Sequence, residues 1–331
     1  MRKFLLIATL GALMASCAQE EIPHETINGT PLAVSSVSLA NIVTKGAKLK
    51  DAVVSSTTFT TSSKMGVYLM KSTGYATPIN NVEYDYVSST SPWSPAATLG
   101  DPTKNIYLNN KPATVCAYYP LGASGITTLT EPKKVTLTPK AYTTGEDLCY
   151  AINQTGPKNT ATSVSFPMNH AYAAITFTVT KDATYSGGTA NIANIKISNS
   201  TIITSNTLDI TSGDYATTGF STGEVSFNPG ISLISDNSSI SSSVLMVPTA
   251  TTTATATKNQ TITTLTGDIL LTFNVDGTDL TATLPAGSIA SLIAGQNYKI
   301  SVTLKGNILV VTGVTIASWT DVTIPGSLTI Q

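Results

Sequence analysis

Apolar and polar side chains alternate, one position at a time, through most of this 331-residue chain. The clearest run is Ile175–Val179, in which threonine separates the apolar residues, and similar runs begin at Met65, Val82 and Val115. A period of two places successive side chains on opposite faces of a β-strand, so each run indicates a strand with one buried face. The helical period of about 3.6 residues is nearly absent. The sequence therefore predicts an all-β fold.

Turn sequences between these runs predict hairpins near the C-terminal end. The run Ile269–Val275 returns through Asp276–Gly277, and the run Tyr298–Leu304 returns through Gly306–Asn307. Short turns of this composition join antiparallel strands. The chain is longer than a single hydrophobic core usually supports. We therefore predict two antiparallel β-sandwiches in series. The seam between them is predicted in Asp182–Thr189, where two glycines interrupt the strands.

The N-terminus has the order of features of an export signal. Met1–Lys3 is basic, and Phe4–Leu13 is apolar but shorter than the roughly 20 residues that span a bilayer. Small residues then precede Cys17, as in lipoprotein signals, where this residue is acylated on its thiol and becomes the new N-terminus. The alternative is an ordinary signal peptide that happens to contain a cysteine. We expect residues 1–16 to be removed and the lipid on Cys17 to be the membrane attachment.

Few side chains are charged: 11% of the residues, against about 25% in a typical soluble domain. Serine and threonine fill most other polar positions, and such a surface is more common outside the cell. Loss of residues 1–16 lowers the basic count from 18 to 16 against 19 acidic residues, a net charge of −3. Without a basic patch, nucleic acid is not an expected partner.

Two cysteines remain once Cys17 is assigned to the lipid. In an oxidising compartment Cys116 and Cys149 could form a disulfide. Alternatively, each is a small apolar residue in its own strand. Their spacing does not distinguish the two interpretations.

Residues suited to catalysis are scarce. The chain has two histidines, His24 in a polar segment and His170 at the entrance to a strand, and we interpret His170 as structural. Motifs of serine hydrolases, zinc proteases and dithiol redox proteins are missing. The acidic pairs Glu146–Asp147 and Asp276/Asp279 are interpreted as solvated loop carboxylates. We therefore predict no enzymatic activity, no cofactor and no metal site.

Short motifs along the whole chain together resemble one family. In chain order they are Thr44–Ala47, Met65–Tyr68, Val115–Pro120, Asp147–Leu148, Phe166 with His170, Leu245–Pro248, Ala294–Tyr298 and Trp319. Their order resembles that of fimbrillin-like lipoproteins, which are subunits of type V pili of Gram-negative anaerobes. The resemblance implies two transthyretin-like β-sandwich domains in tandem. It also implies polymerisation at the cell surface after a protease removes the N-terminal strand.

The resemblance and the predicted seam together divide the mature chain. Residues 17–45 would form a lipidated tether and a displaceable strand, 46–182 the N-terminal domain and 183–331 the C-terminal domain. Cleavage in the family usually follows arginine, whereas Lys45 precedes Gly46 at the matching position here. A protease acting there must therefore accept lysine.

The strand that would be removed has an irregular pattern. Leu32–Val43 is largely apolar, but its alternation changes phase between Val34 and Val37. A change of phase within a strand indicates a β-bulge. Removing such a strand would expose an apolar groove bordered by main-chain groups that lack partners.

The C-terminal tail, residues 320–331, could fill this groove in another subunit. Val322, Ile324, Leu328 and Ile330 lie on one face of a strictly alternating segment. An apolar strand of this kind can add to an open sheet edge, so the tail is a candidate donor strand. The alternative is that it forms the last strand of its own domain.

These features predict a structural subunit of a fimbria at the outer membrane or cell surface. Its partners would be other fimbrial subunits, the membrane through the N-terminal lipid, and host or bacterial surface ligands. The alternative from another class is a glycan-binding lipoprotein of a polysaccharide-uptake system. Such proteins offer exposed aromatic platforms, and Trp93, between Pro92 and Pro95, is the tryptophan that the sequence places in a loop.

Overall fold

The structure is a computed structural model that describes residues 29–39, 59, 61–87, 93–96, 104–122, 134–142, 146–251 and 260–318. Throughout these ranges the chain forms strands, turns and bends, and no helix. The predicted all-β class is therefore confirmed. None of the described segments is a helix of the length and apolarity that a bilayer crossing requires.

Strands of the first half are short and separated by turns. In chain order they are β1 (Thr30–Pro31), β2 (Ala33–Leu39), β3 (Lys64–Leu69), β4 (Ile79–Tyr86), β5 (Trp93–Pro95), β6 (Tyr107–Leu108), β7 (Thr114–Tyr119), β8 (Lys134–Leu137), β9 (Lys140–Ala141), β10 (Cys149–Thr155) and β11 (Ser163–His170).

Most of these strands close into a barrel in the order β10-β11-β2-β5-β4-β3-β7, back to β10. Neighbours are antiparallel except β2 and β11, which run parallel from the pair Ala33 and Ser163 to the pair Leu39 and Met168. The inward side chains form one apolar cluster. This half differs from the antiparallel sandwich that the sequence predicted, because β2 bridges β11 and β5 and closes the sheet on itself.

The second half contains the longest strands, together with several strands of two or three residues. In chain order they are β12 (Ala173–Lys181), β13 (Ala190–Ser198), β14 (Ile203–Asp209), β15 (Asp214–Tyr215), β16 (Ser221–Thr222), β17 (Val225–Phe227), β18 (Ile231–Leu233), β19 (Ser239–Met246), β20 (Ala250–Thr251), β21 (Gln260–Thr261), β22 (Ile269–Val275), β23 (Thr278–Leu284), β24 (Gln296–Lys305) and β25 (Ile308–Ser318).

Two sheets of this half pack across a second apolar cluster. One has the order β25-β24-β12-β19-β9, and the other the order β17-β13-β22-β23 with β18 also on β13. Ile175, Phe177 and Val179 point into the cluster, as their alternation predicted. β12 runs parallel to β24, so this sheet is mixed rather than antiparallel.

Both predicted hairpins are present. β22 turns into β23 through Asp276–Gly277, whose φ angles of 48° and 84° are the left-handed values that a tight two-residue turn requires. β24 turns into β25 through Gly306–Asn307, where Lys305 pairs with Ile308. Local turn chemistry therefore determined these connections.

The chain passes from the barrel to the sandwich earlier than the sequence indicated. β11 ends in the barrel at His170, whereas β12 begins at Ala173 and pairs with β19 and β24. The segment Asp182–Thr189, predicted to separate two domains, instead joins β12 to β13 across the sandwich. The halves also interlock, because β8 pairs with β14 and β9 with β19.

A third cluster, rich in tyrosine, fills the junction between barrel and sandwich. Its buried tyrosines are Tyr68, Tyr118, Tyr150, Tyr172 and Tyr215. The Tyr215 hydroxyl donates a 2.7 Å hydrogen bond to the carbonyl oxygen of Ala171, one of the two residues that link β11 to β12. Buried phenol hydroxyls need such partners, so the junction is polar as well as apolar.

The buried tyrosines predict loss of stability in alkali. Burial raises the pKa of Tyr118 and that of Tyr298 to about 12 each, and raises the pKa of Tyr215 well above its ordinary value. Because these folded-state values exceed the unfolded value of about 10, the neutral tyrosines contribute their full stability below pH 10. That contribution is lost as the pH rises through the folded-state pKa.

We expect the free energy of unfolding, measured in urea, to fall steadily between about pH 10 and pH 12. Tyr118→Phe should reduce this slope, since one titrating phenol is removed. A slope that is the same in both proteins would contradict the assignment of Tyr118 to this transition.

Candidate functional site

The first described strands, β1 and β2, occupy the position from which the family resemblance implies that a strand is removed. Leu32, Val34 and Val37 are 2%, 4% and 6% exposed and point into the barrel cluster. The pairing of β2 with β11 skips Ser35, whose hydroxyl donates a 3.0 Å hydrogen bond to the Val164 carbonyl oxygen. This irregularity is the bulge that the change of phase predicted, and it returns Val37 to the inner face.

Main-chain and side-chain hydrogen bonds fix this strand in the barrel. The Leu32 amide donates to the Ile106 carbonyl oxygen at 2.9 Å, and the buried Tyr84 hydroxyl donates to the Leu32 carbonyl oxygen at 3.1 Å. The Ala33 amide donates to the Thr162 carbonyl oxygen at 3.1 Å. The strand is therefore an integral part of the barrel wall and not a loose extension.

Trp93 lies beside β2 in an aromatic cluster. It pairs with Val34 in the sheet register, and its ring makes edge contacts with Phe59 and Tyr86 at centroid distances of 5.0 and 5.5 Å. The Trp93 side chain is 4% exposed. The interpretation of Trp93 as a loop-borne residue was therefore wrong, because β5 is a strand of the barrel and its ring fills the barrel core.

The residues predicted to act in processing and assembly lie outside the described residues. They are Cys17 for lipidation, Lys45 and Gly46 for cleavage, and Val322, Ile324, Leu328 and Ile330 for strand donation. These assignments stay predictions.

A buried polar cluster occupies the end of the barrel where β10 begins and β11 ends. Asp147, Cys149 and His170 are 6%, 4% and 3% exposed, and Cys149 and His170 are register partners. The His170 Nδ1 atom lies 2.9 and 3.1 Å from the two carboxylate oxygens of Asp147 and 3.6 Å from the Cys149 sulfur. The interpretation of Asp147 as a solvated carboxylate was wrong, since it contacts a buried histidine.

The geometry of this cluster differs from that of a catalytic cysteine. In a nucleophile–histidine–carboxylate relay, the nucleophile and the carboxylate contact different nitrogens of the imidazole ring. Here the Cys149 thiol and the Asp147 carboxylate both approach Nδ1 of His170. The arrangement therefore suits structural linkage or metal coordination rather than proton relay.

Sequence analysis missed this cluster because its members are not neighbours in the sequence. His170 follows Cys149 by 21 residues and Asp147 by 23. Alternation does place Asp147 and Cys149 on the same side of the chain, but only the register of β10 against β11 brings His170 to them. The sequence pattern therefore indicated the proximity of two of the three residues but not that of His170.

Cys116 and Cys149 do not form the disulfide considered from the sequence. Both are buried thiols. Cys149 faces the barrel cluster, whereas Cys116, in the adjacent strand β7, faces the tyrosine-rich junction cluster. Side chains on opposite faces of one sheet point apart, so the two sulfurs cannot meet without movement of the main chain.

Comparison with known proteins identifies the family. A family model described as fimbrillin-like matches residues 52–319. A comparison with curated protein sequences finds no match.

Solved structures of candidate cell adhesion proteins share the fold. One from Bacteroides ovatus is 17% identical, with a TM-score of 0.63 over 88% of this chain and 98% of that one. One from Bacteroides uniformis is 21% identical, with a TM-score of 0.56 over 80% of this chain and 94% of that one. At this identity the likeness concerns the fold, and the match to the family model covers most of the chain. The chain belongs to the fimbrillin-like family.

Proposed function

We propose that this protein is a structural subunit of a cell-surface fimbria, exported as a lipoprotein and joined to other fimbrial subunits by strand exchange. Its family supports the role of a fimbrial subunit, and candidate cell adhesion proteins share its fold. The observation that carries the exchange step is the position of β2, an N-terminal strand that closes the barrel by parallel pairing with β11.

Removal of β2 would create the groove that strand exchange requires. β11 and β5 would lose main-chain partners along their facing edges, and the buried side chains of Phe166 and Trp93 would lose the cover of Val37 and Val34. Open edges and apolar grooves of this kind accept an extended segment from another chain. A donor must therefore offer apolar side chains on one face and a free main chain.

Cleavage after Lys45 is the first step of this proposal and can be tested directly. In Lys45→Gln the positive side chain required by a lysine-accepting protease is lost. We expect this variant to keep its N-terminal segment and to remain monomeric, whereas the wild-type protein begins at Gly46 in the polymer. Mass analysis of protein recovered from cell surfaces measures both N-termini.

Lys48→Gln is the matched control, since it changes a lysine three positions away and should be processed normally. Equal processing of Lys45→Gln and wild type would contradict cleavage at this bond.

Lipidation of Cys17 is tested by metabolic labelling with a fatty-acid probe. The thiol is the atom that would be acylated, so the precursor that is still uncut at Lys45 should be labelled in the wild type and not in Cys17→Ser. Cys116→Ser should be labelled like the wild type, because its thiol is buried in the junction cluster. Equal labelling of Cys17→Ser and wild type would contradict the lipoprotein assignment.

The alternative function, glycan binding, depended on an exposed aromatic side chain. Trp93 was its candidate platform, and this side chain is buried among Phe59, Tyr86 and Tyr119. A ring in this position cannot stack on a sugar. The fimbrial role is therefore the function that the observations favour.

A further inference from the structure

The buried cluster at the start of β10 combines three different ligand types around one point. We propose that Asp147, Cys149 and His170 form a binding site for Zn²⁺. Each residue offers one ligand atom, and these atoms all lie within 4.8 Å of one another. Thiolate, imidazole and carboxylate are the groups that bind zinc in proteins.

The separation of nitrogen and sulfur within the cluster agrees with tetrahedral coordination. Zinc lies about 2.0–2.1 Å from histidine nitrogen and about 2.3 Å from cysteine sulfur, which places the two ligand atoms about 3.5 Å apart. The Nδ1 atom of His170 and the sulfur of Cys149 are 3.6 Å apart. The nearer carboxylate oxygen of Asp147 is 2.9 Å from Nδ1, somewhat closer than the separation of about 3.3 Å expected around zinc.

The protein main chain holds these ligands before any metal arrives. Cys149 and His170 are paired residues of adjacent strands, and Asp147 is held two positions before Cys149 by the turn that enters β10. The Ala171 amide donates a 2.7 Å hydrogen bond to the Leu148 carbonyl oxygen, which ties the two ligand-bearing segments together. Ligands fixed in this way lose little conformational entropy on binding.

Charge also favours a divalent cation. A Cys149 thiolate and an Asp147 carboxylate together carry two negative charges, which Zn²⁺ neutralises when His170 is neutral. Burying charge without compensation is costly, so a buried site of this kind is stable only with its metal or with its protons. The Nδ1 atom of His170 lies 3.1 Å from a carboxylate oxygen of Asp147, close enough for either a proton or a metal ion to link the two groups.

The ligand set favours zinc over calcium and magnesium. Calcium and magnesium prefer sites made entirely of oxygen, whereas a sulfur and a nitrogen ligand favour zinc. Bound zinc would connect the end of β11 to the start of β10. Because β11 is also the strand that pairs with β2, the metal would hold this edge of the barrel in place when β2 is absent.

The test uses the full chain with Cys17→Ser in every sample, so that Cys116 and Cys149 are the remaining thiols. Protein is purified without chelators from cells supplied with zinc, and its metal content is measured by mass spectrometry. The parent protein and Cys116→Ser should each hold about one zinc per chain. In Cys149→Ser and His170→Asn the content should fall at least about tenfold, because even residues that only support metal ligands alter affinity by that much.

A second measurement does not depend on the folding of Cys149→Ser. Cobalt(II) replaces zinc in the Cys116→Ser sample, in which Cys149 is the sole thiol, and its absorption spectrum is recorded. A thiolate-to-cobalt charge-transfer band with tetrahedral ligand-field bands would assign Cys149 as a ligand. Absence of zinc from the parent protein, retention of zinc by Cys149→Ser, or absence of the charge-transfer band would each overturn the proposal.

Discussion

Aspartate at position 34 is expected to lower the free energy of unfolding of the uncut protein by about 3–5 kcal/mol. Val34 is buried between β11 and β5, where Val164 and Trp93 are its register partners. A carboxylate placed there has no cationic partner and also removes the burial of an apolar side chain. Urea unfolding of the uncut protein measures the effect.

Ala33→Asp is the matched control in the same strand. Ala33 is exposed, so an aspartate there should change the free energy of unfolding by no more than about 0.5 kcal/mol. Equal stability of the Val34→Asp and Ala33→Asp proteins would contradict the packing of β2 in the barrel.

The same pair of variants shows whether β2 is needed only in the folded monomer or also in the polymer. If residues before Gly46 are discarded, Val34→Asp disappears from the assembled fimbria together with the strand that contains it. Protease-trimmed Val34→Asp should then form as much polymer per folded monomer as Ala33→Asp. A specific loss of polymer in Val34→Asp would show that β2 stays in place during assembly.

Aspartate at position 324 or 328 is expected to abolish the polymer. The sequence alternation of the C-terminal tail predicts that Ile324 and Leu328 share an apolar face with Val322 and Ile330. Burial of each side chain in the groove of a neighbouring subunit would contribute roughly 1.5–3 kcal/mol before the cost of ordering the tail. A carboxylate in that groove loses this contribution and costs several kcal/mol more.

Thr323→Asp serves as the control for the tail, since it changes the opposite face. It should leave assembly nearly intact, as seen in ladders on gels run without boiling. The melting temperature of each monomer is measured alongside. If the tail closes its own sandwich, Ile324→Asp will lower this temperature sharply, and donation of the tail to another subunit is then contradicted.

The sequence by itself determined the class of fold and its local connections. The alternation of Ile175–Val179 assigned strand and buried face, and Asp276–Gly277 assigned a hairpin, because both depend on residues that are neighbours in the chain. The change of phase between Val34 and Val37 likewise located the bulge of β2. These local predictions did not require knowledge of which strands pair with one another.

Only the tertiary structure decided which distant segments pair and what they bury. Period-two patterning is the same for parallel and antiparallel strands, so the parallel pairing of β2 with β11, and with it the closure of the barrel, had no local signal. Trp93 was assigned to a loop by its flanking prolines, yet pairing with β2 and β4 places it in the core. Asp147 and Cys149 meet His170 only through the register of two strands, because side chains many residues apart are brought together by packing and not by sequence pattern.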